Sequence, residues 1–401
     1  MTKNNNMPQG YKESPLGIIP KGWEVKKLRE VCEIKGGYAF DSKTFKSKGK
    51  YQIVKMSNLY EGILDLSRSQ SFINDIPKSA NESFLIRNDI IITLTGTVGK
   101  TDYGYSYQIK DETNLLLNQR VGKIVGKNID SAYLYKFLKT PRFLTQFFYS
   151  SRGGTGNQSN VSTNDIADIF MIYPPIAEQK KIAEILSVWD EAIEKQTQLI
   201  AQFKTRKRGL MQQLLTGKKR VKGFSEKWEE VKLGDIAKIY QPQTIQGEDF
   251  IDYGYPVYGA NGFIGYYHSF NHETGQTVIT CRGSSCGTVN FTPANCWITG
   301  NAMVINVDDN KDIDKTFLNY LISNLSFQHL ISGSGQPQII REPLLKFMLS
   351  IPLFDEQTAI ANILSAADSE INLAKQKLAN LKEQKKGLMQ VLLTGKKRVK
   401  I

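Results

Sequence analysis

Residues 209–222 read GLMQQLLTGKKRVK, and residues 387–400 read GLMQVLLTGKKRVK. The two stretches agree at 13 of 14 positions and lie 178 residues apart in a chain of 401. The same register continues upstream without a gap, and its matching pairs include Pro174 and Pro352, Glu178 and Glu356, Gln179 and Gln357, and Ile182 and Ile360. Self-similarity at one fixed offset indicates a tandem duplication, in which each copy is a variable domain followed by a repeated segment.

Both repeated segments have the pattern of a long helix. Apolar residues recur at alternating three- and four-residue steps from Ile182 to Leu210, and again from Ile360 to Leu392, a spacing typical of a coiled-coil seam. A helix over 177–215 would be about 58 Å long at roughly 1.5 Å per residue. Two nearly identical stripes pair most simply about a two-fold axis, so we expect an antiparallel pair inside one chain. A structural hairpin with no spacing role is the alternative.

The segments outside the helices predict mixed α/β domains. Short β-branched or apolar runs at 51–58, 90–95, 115–125 and 277–280 predict strands, and residues 133–148 and 315–330 have helical patterns. Pro174-Pro175 and Pro352 precede the long helices, while Gly217 and Gly395 suit the left-handed position just after them. The predicted fold class is α+β: two mixed α/β domains separated by two long antiparallel coiled-coil helices, in an internal pseudo-two-fold repeat.

Composition and charge narrow the class of partner. The chain has 52 Lys and Arg against 39 Asp and Glu, a net charge of +13, which favours nucleic acid or an anionic membrane surface as partner. The excess is local, because residues 224–351 carry 8 basic and 13 acidic side chains. The sequence has no run of 18 apolar residues, and its first ten residues lack the apolar region of a secretory leader. Together with four cysteines, this favours the cytoplasm.

Motifs for catalysis are incomplete. Residues 95–101 resemble a phosphate-binding loop, but Leu94 stands where its first glycine is required. Residues 173–176, Tyr-Pro-Pro-Ile, lack the carboxamide or carboxylate that would hold a target amino group in a DNA amino-methyltransferase. The nuclease-like Glu178-Gln179-Lys180 lies at a helix start, and its second copy has Thr358 in place of the lysine. We therefore predict no catalytic residue in this chain.

A zinc site is a weaker hypothesis. Five potential ligands lie within 29 residues of one another: His268, His272, Cys281, Cys286 and Cys296. Their spacing matches no common zinc finger, and buried thiols are common in protein cores. The prediction is therefore that the chain binds no metal.

Six loops mix glycine with amides, hydroxyls and cations. They cover residues 35–38, 95–100, 153–158, 258–262, 282–285 and 333–338. Glycine lets the backbone approach a ligand closely, Asn and Gln pair with adenine, Arg pairs with guanine, and Ser and Thr reach phosphates or base edges. Turns use the same residue types, so each loop alone is weak evidence. Their recurrence in both domains favours DNA recognition.

At this point the chain resembles, along essentially its whole length, the specificity subunit of type I restriction–modification systems. The most specific features are the two Pro-x-x-x-Glu-Gln-x-x-Ile-Ala helix starts at 174–183 and 352–361 and the two Leu-Met-Gln-x-Leu-Leu-Thr-Gly-Lys helix ends. Supporting phrases are Gly22-Trp23-Glu24, Asn118-Gln119-Arg120-Val121, residues 256–262 and Gly335-Gln336-Pro337-Gln338. The resemblance implies target recognition domains over 1–174 and 218–351, a central spacer helix over 175–217 and a C-terminal spacer helix over 352–401.

The resemblance also implies a function. In that family each recognition domain reads one half of a bipartite, asymmetric site in double-stranded DNA, while the helices fix the gap and dock two modification subunits. Restriction subunits complete the nuclease and translocase. Adenine N6 methylation, S-adenosylmethionine, ATP and Mg belong to the partner subunits, so we expect no cofactor in this chain and no membrane. A rod of about 58 Å allows less than two DNA turns of about 34–36 Å.

Two other hypotheses stay open at this point. One is a coiled-coil scaffold or adaptor that binds proteins rather than DNA, and the other is a self-sufficient methyltransferase or nuclease. Under the DNA-reading hypothesis, the predicted contacts in the first domain are Lys35, Tyr38, Asn58, Thr97, Lys100, Gln119, Arg120, Gln158 and Asn160. In the second domain they are Tyr258, Asn261, Tyr266, Arg282, Ser284, Gln336 and Gln338.

Overall fold

The chain folds into two compact units, seen in a computed structural model that describes residues 7–153, 157–259, 261–333 and 335–401. Unit 1 comprises Met1–Lys195 together with Leu378–Ile401, and unit 2 comprises Gln196–Lys377. Each unit therefore contains one variable domain, one end of the first long helix and one end of the second. The boundaries of the four segments drawn from the sequence stay a prediction.

The main sheet has the same strand order in the two units, and all its neighbouring strands are antiparallel. Sheet 1A of unit 1 consists, in spatial order, of Cys32–Gly36, Val121–Gly126, Ile90–Thr93 and Ser106–Gln108. Sheet 2A of unit 2 consists of Lys238–Tyr240, Ala302–Asn306, Thr277–Thr280 and Val289–Phe291. The strands Ile90–Thr93 and Thr277–Thr280 are buried along their whole length, which explains their continuous β-branched sequences.

A second sheet in each unit contains a parallel strand pair. Sheet 1B consists of Phe72–Ile73, Tyr51–Val54, Leu115–Leu117 and Phe84–Leu85, and sheet 2B consists of Gly262–Tyr267, Tyr255–Gly259 and Trp297–Ile298. In both units the later strand of the parallel pair is followed, within a few residues of sequence, by a strand of the main sheet. The remaining strands are Tyr11–Lys12, Ile19–Pro20, Glu24–Lys27, Leu59–Tyr60, Ile63–Leu64, Thr95–Thr97, Arg152–Gly153, Gln158–Asn160, Phe170–Tyr173, Glu229–Lys232 and Met348–Ile351.

Short helices connect the strands. The α-helices of the variable domains are Leu28–Val31, Ser131–Phe137, Pro141–Tyr149, Thr163–Ala167, Leu233–Ile236, Lys315–Ser323 and Arg341–Leu345. The 3₁₀ helices are Ser42–Thr44, Met56–Asn58, Lys78–Ser83, Gly247–Asp249 and Gln328–Leu330.

Several of the expected elements differ from the sequence pattern. The helix expected over 315–330 ends at Ser323, and the runs 90–95 and 115–125 are each divided between two strands of different sheets. The helix expected over 133–148 is two helices, because Pro141 begins a new one and the hydroxyl of Thr140 caps it by accepting a hydrogen bond from the Phe143 N–H at 3.2 Å. The strand expected over 51–58 ends at Val54, because the side chain of Asn58 turns the chain by accepting a bond from the Lys55 N–H at 2.8 Å.

The two long helices run over Ile176–Leu214, the central helix, and Phe354–Leu392, the C-terminal helix. The central helix begins and ends one residue before the predicted 177–215. Gly217 and Gly395 follow the helix ends with φ angles of +68° and +73°, in the left-handed conformation that their positions predict. In unit 1 the start of the central helix packs with the end of the C-terminal helix, and in unit 2 the opposite ends pack together, so the pairing is antiparallel in each unit.

In each unit a buried glutamate carboxylate at the start of one long helix is paired with the partly exposed guanidinium of an arginine that follows the other long helix. In unit 1 the Glu178 carboxylate, 1% exposed, accepts two hydrogen bonds from the guanidinium of Arg398, one of them from Nε at 3.1 Å. In unit 2 the Glu356 carboxylate, also 1% exposed, accepts from Nε of Arg220 at 2.8 Å and from its Nη2 at 2.6 Å. The Glu of each repeated helix start therefore binds the Arg of the other copy's Lys-Lys-Arg tail.

The glutamine beside each of these glutamates attaches the variable domain to the helix. The Gln179 amide accepts from the Asp130 N–H at 2.9 Å and donates to the Pro174 carbonyl at 2.7 Å. In unit 2 the Gln357 amide makes the same two bonds, with the Asp314 N–H and the Pro352 carbonyl, both at 2.9 Å. Both aspartates cap a helix of the variable domain, so the repeated Glu-Gln pair has a structural role at both positions.

A third interaction is repeated in the two units, and it lies further towards the C-terminal end of each long helix. Asp190 in unit 1 is paired with both Lys136 and Lys385. Its counterpart Asp368 in unit 2 accepts from Lys207 and from the hydroxyl of Tyr320, each at 2.6 Å. Burial opposes ionisation of Asp190, but the two ammonium groups outweigh it and lower the pKa of that carboxyl.

The hydrophobic core of each unit includes residues from both long helices. In unit 1, Ile182 and Leu186 of the central helix and Leu392 of the C-terminal helix join the domain's Trp23 in one cluster. Within the described residues, no helix is both long enough and apolar enough to cross a membrane.

We predict that Arg398→Met destabilises unit 1 by about 2–4 kcal/mol, because it leaves the carboxylate of Glu178 buried without its cation. Thermal and urea denaturation of the full chain measure the loss. The control is Lys195→Met, which removes an exposed pair with Glu191 and is expected to leave the unfolding free energy nearly unchanged. Equal losses in the two variants would contradict the structural role of the Glu178–Arg398 pair.

We predict a pH-dependent contribution from Asp190. Since its folded pKa lies below the ordinary value of 3.8, the stabilisation is complete above that value and is lost as the pH falls through the lowered pKa. The difference in unfolding free energy between the native chain and Asp190→Asn should stay constant between about pH 7 and 5 and shrink below about pH 4. Asp252→Asn, at an exposed bend of unit 2, is the control variant.

Candidate nucleic-acid interface

Four loop segments of unit 1 are held together by backbone hydrogen bonds beyond one end of sheet 1A. The segments are residues 36–38, 94–97, 118–121 and 158–161. The bonds are Leu94 N–H to Arg120 C=O at 3.0 Å, Val161 N–H to Leu94 C=O at 2.9 Å, and Gly37 N–H to Val121 C=O at 3.0 Å. We call this arrangement the loop frame of unit 1.

Unit 2 repeats the loop frame with different side chains. Cys281 takes the place of Leu94: its N–H donates to Asn301 C=O at 3.2 Å, and its C=O accepts from Ile339 N–H at 3.0 Å. The turn that enters the main sheet is closed in both units, by Val121 N–H to Asn118 C=O at 3.0 Å and by Ala302 N–H to Thr299 C=O at 3.1 Å. The duplication visible in the helices is therefore also present in the loops, where the sequence hides it.

Candidate side chains of unit 1 lie together on this frame. The strand Thr95–Thr97 pairs with Gln158–Asn160, so that Gln158 lies opposite Thr97 and Asn160 lies opposite Thr95. Asn160 is exposed, and its Oδ1 accepts from the Thr95 hydroxyl at 2.8 Å. Exposed Gln119 and Arg120 occupy the turn in which the Arg120 carbonyl accepts from the Leu94 N–H, so this turn is joined directly to the segment that carries Thr95 and Thr97.

The hairpin that carries Lys100 is braced from inside. The Asp102 carboxylate accepts from the Thr97 N–H at 2.8 Å and from the Thr97 hydroxyl at 2.7 Å. The backbone N–H is the main cause of the lowered pKa of Asp102. Thr97 therefore shapes the loop with its donor groups, while Lys100 lies exposed at the turn beyond it.

Lys35 and Tyr38 are half-buried at the edge of the frame. The Lys35 ammonium pairs with Glu33 at 3.1 Å and with Glu82 at 3.4 Å, and the bond to Glu33 is the main cause of its raised pKa. The Tyr38 hydroxyl accepts from Ser79 at 3.1 Å. Lys35 lies just before the first segment of the loop frame and Tyr38 lies at its end, and both side chains have partners within the protein.

Asn58 is a correction to the predicted set. Its side chain is 1% exposed, and its Nδ2 donates to the carbonyls of Asp65 at 3.1 Å and Arg68 at 2.5 Å. With its Oδ1 bound to Lys55 N–H, the amide is fully used inside the fold. Asn58 shapes a turn and presents no group to a DNA base.

In unit 2 the loop after the strand Thr277–Thr280 meets two other segments. Exposed Arg282 forms a bridge with exposed Gln338, and the Gly283 N–H donates to Pro337 C=O at 3.0 Å. The Asn261 amide donates to the Ser285 hydroxyl at 2.7 Å, which joins the tip of the hairpin in sheet 2B to this loop. Ser284 and Gln336 are exposed in the same two loops.

The two predicted tyrosines of unit 2 lie on the hairpin rather than at its tip. Tyr258 is half-buried, and its carbonyl accepts from Thr299 N–H at 3.0 Å. Tyr266 lies opposite Pro256, towards the other end of the hairpin, with its ring centroid 5.0 Å from that of Phe263. Tyr258 therefore lies near the tip that meets the loops and Tyr266 lies away from it, and contact of either residue with DNA stays a prediction.

Parts of three predicted loops lie outside the described residues. These are Gly154, Thr155 and Gly156 in the 153–158 loop, Ala260 in the 258–262 loop and Ser334 in the 333–338 loop. In the predicted loop 35–38, Gly37 is required for packing within the protein and not for the close approach of a ligand that the sequence suggested. A Cβ on Gly37 would lie 2.1 Å from the carbonyl oxygen of Asn118, so the close approach is to the protein's own backbone.

Sequence reasoning missed frame residues that the repeat could have revealed. Arg152 is exposed and lies opposite Asn160, next to the glycines of a loop that was already a candidate. Exposed Asn301 in unit 2 has the position that Arg120 has in unit 1. Gln241 lies in the segment of unit 2 that is equivalent to the segment of Gly37, and its amide donates to Gly300 C=O at 3.2 Å. Aligning the two domains through their strand order identifies these positions, whereas their residue types alone do not.

The side chains of His272 and Cys281 have separate partners. Both ring nitrogens of His272 have partners, the Tyr240 hydroxyl at 2.8 Å and the Asn271 side chain at 2.6 Å, and burial lowers the pKa of the ring. The Cys281 sulfur contacts the amide of Gln241 at 2.9 Å. Among the described residues, no three His, Cys, Asp or Glu side chains are grouped so that they could share a metal ion.

Comparison with known proteins identifies the family. The family model of the type I restriction modification DNA specificity domain matches twice, over residues 20–204 and 225–383. The chain belongs to this family. The sequence-based prediction of a type I specificity subunit is therefore confirmed, including its two-domain organisation.

Individual relatives of this specificity-subunit chain match along its whole length. The type I restriction enzyme MjaVIII specificity subunit of Methanocaldococcus jannaschii is 25% identical over 432 residues, covering 98% of this chain and 97% of its own. A second chain of that organism, provisionally named the MjaX specificity subunit, is 26% identical over 424 residues, with the same two coverages.

Two solved structures share the fold. The type I restriction-modification system S subunit from M. genitalium superposes with a TM-score of 0.63 at 17% identity, covering 98% of both chains. A chain from a structural study of complex assembly and conformational transition of the type I R-M system has a TM-score of 0.57 at 17% identity, covering 94% of this chain and 99% of its own. The predicted fold class is confirmed by these matches.

We predict that Asn58→Ala lowers the stability of the specificity subunit by about 1–3 kcal/mol, because the carbonyls of Asp65 and Arg68 lose a buried donor. Thermal denaturation measures the loss. Gln119→Ala, on the exposed turn of the same domain, is the matched control and should change stability by about 0.5 kcal/mol or less. A stable Asn58→Ala chain with altered DNA specificity would contradict the structural role.

Proposed function

We propose that this specificity subunit reads a bipartite, asymmetric DNA site, with one half-site for each loop frame. The observation that carries the proposal is that the two units share one backbone frame and present different side chains on it. At equivalent positions unit 1 has Arg120 and Asn160, and unit 2 has Asn301 and Gln338. Amides and guanidinium groups are the side chains that discriminate base edges in the major groove, so two such sets read two different sequences.

The charge distribution supports a division of labour between the units. Residues 224–351 are acidic overall, and Lys238, one of the few lysines there, is paired with Asp309 at 2.5 Å. Arg282 is the cation that unit 2 places in its loop frame. Residues 1–174 carry 24 basic and 16 acidic side chains, so unit 1 and the partner subunits supply most contacts to phosphates.

The antiparallel helices are the spacer in this proposal. They fix the gap between the half-sites and dock two modification subunits, and restriction subunits join the same complex. The chain itself is non-catalytic and acts in the cytoplasm. S-adenosylmethionine, ATP and Mg are bound by the partner subunits, which methylate adenine N6 in double-stranded DNA and cleave that DNA.

The test is long-read mapping of N6-methyladenine in the host genome with and without this gene. Loss of one split motif, two half-sites around a fixed gap, is the expected result. A genome with active modification subunits whose split motifs are all unchanged would contradict the proposal.

Two single variants assign the half-sites to the units. Arg282→Ala and Gln158→Ala should each relax or abolish recognition of a different half, with a cost of about 1–3 kcal/mol for each lost base contact. Co-purification with the modification subunits should be unchanged in both. Arg87→Ala, which removes an exposed pair with Asp111 away from the loop frame, is the matched control. Identical methylation patterns for all three variants would contradict the assignment.

A further inference from the structure

Unit 1 contains a cleft of about 660 Å³ between its variable domain and the ends of the two long helices. Its apolar surface comes from Phe137, Pro141, Ile193, Met389 and Leu393. A volume of this size lies within the range of about 300–1,000 Å³ that is typical of small-molecule sites. Nothing in the reading of DNA by the loop frame uses this cleft.

Cations surround the cleft. Among its described lining residues, the cationic side chains are Lys139, Arg142, Lys382, Lys385, Lys386 and Lys396. Asp190 is the one carboxylate in that lining, and it is already paired with Lys136 and Lys385. The cleft is therefore strongly positive, and the acid within it is neutralised by partners of its own.

The two cations from the variable domain are desolvated. Burial lowers the pKa of Lys139 to about 8, and its Nζ donates to the Tyr135 hydroxyl at 2.6 Å. The Nη1 atom of Arg142 is buried, and it has no hydrogen-bond partner among the described residues. Since an unpaired buried donor of a charged group is costly, a ligand that accepts hydrogen bonds there would be stabilised.

The N-terminus of the helix Pro141–Tyr149 adds to this field. Lys139 and Arg142 flank its first residue, and the positive end of the helix dipole favours an anion at the same place. The helix end, the lysine and the half-buried arginine thus act together on one side of an otherwise apolar cleft.

The duplication shows that the domain side of the cleft is specific to unit 1. Counting from the equivalent capping residues Asp130 and Asp314, the positions of Lys139 and Arg142 fall on Ser323 and Ser326 in unit 2, where the helix Lys315–Ser323 continues beyond the point at which the unit 1 helix ends. The helix side, by contrast, keeps its cations, as in the pair Lys385 and Lys207. Since unit 2 lacks these two cations, we infer that Lys139 and Arg142 serve a role that unit 1 does not share with unit 2.

We propose that this cleft binds a small phosphorylated molecule with an apolar or aromatic portion, in the chemical class of nucleotides. The phosphates lie at Lys139, Arg142 and the lysines of the C-terminal helix. The apolar portion packs on Pro141, Ile193 and Met389, the apolar lining residues that keep exposed surface. The site is independent of the loop frame and of the DNA-reading function.

Calorimetric titration of the full chain with ADP tests the proposal. ADP should bind, while adenosine and tripolyphosphate, which each supply only half of the contacts, should bind at least about tenfold more weakly. No heat from ADP at millimolar concentration would overturn the proposal, and so would tripolyphosphate that binds as tightly as ADP.

A double variant locates the site. Lys139→Ser with Arg142→Ser installs the residues of unit 2, and it should weaken ADP binding by about tenfold or more. The control is Lys43→Ser with Lys48→Ser, which removes the same charge from exposed positions outside the cleft and should leave binding unchanged. Equal weakening in both double variants would mean that net charge alone attracts ADP, and would overturn the site.

The fold of the double variant is checked independently. Its thermal unfolding without ADP should match that of the native chain, and saturating ADP should raise the unfolding temperature of the native chain alone. A variant that keeps the native rise in temperature would show that ADP binds elsewhere, which would also overturn the proposal.

Discussion

The structure depends on a charge pair that takes one residue from each copy of the repeat. Glu178 is buried at the start of the central helix and is neutralised by Arg398, which follows the C-terminal helix. The reverse pairing, Glu356 with Arg220, does the same in unit 2. A buried carboxylate is costly without its cation, so each pair admits an antiparallel arrangement of the helices and opposes a parallel one. The identity of the repeated sequences follows from this reciprocity.

The bounds and the pairing of the long helices were predictable because two sequence signals, the heptad spacing and the duplication, agree. Heptad spacing defined their length, and duplication defined their pairing, so the central helix differs from the predicted bounds by one residue. The variable domains were less predictable, since their sheets join strands that are far apart in sequence, such as Cys32–Gly36 and Val121–Gly126. A parallel pair such as Tyr51–Val54 with Leu115–Leu117 leaves no local trace in the sequence.

The sequence predicted which loops form the candidate interface, but it did not predict which side chains in those loops are exposed. Gly-rich loops did come together in the frame, yet Asn58 is buried, and Thr97 uses its donors to brace a hairpin. An amide that reads a base and an amide that closes a turn have the same spacing in sequence, because both lie at irregular backbone. What separates them is solvent exposure, which long-range packing decides. Arg152 was missed for a different reason, because its position opposite Asn160 follows only from the strand pairing.

The division into units has a consequence for synthesis of the chain. Unit 2 is one continuous stretch, Gln196–Lys377, so all its parts are present once that stretch has left the ribosome. Unit 1 contains Leu378–Ile401, and Leu392 and Leu393 lie in the same core cluster as Trp23. Unit 1 therefore completes its core only after Leu392 and Leu393 have been synthesised, which is later than the synthesis of all of unit 2. Until then the apolar surface that packs on these two residues has no cover, whereas all parts of unit 2 are already present.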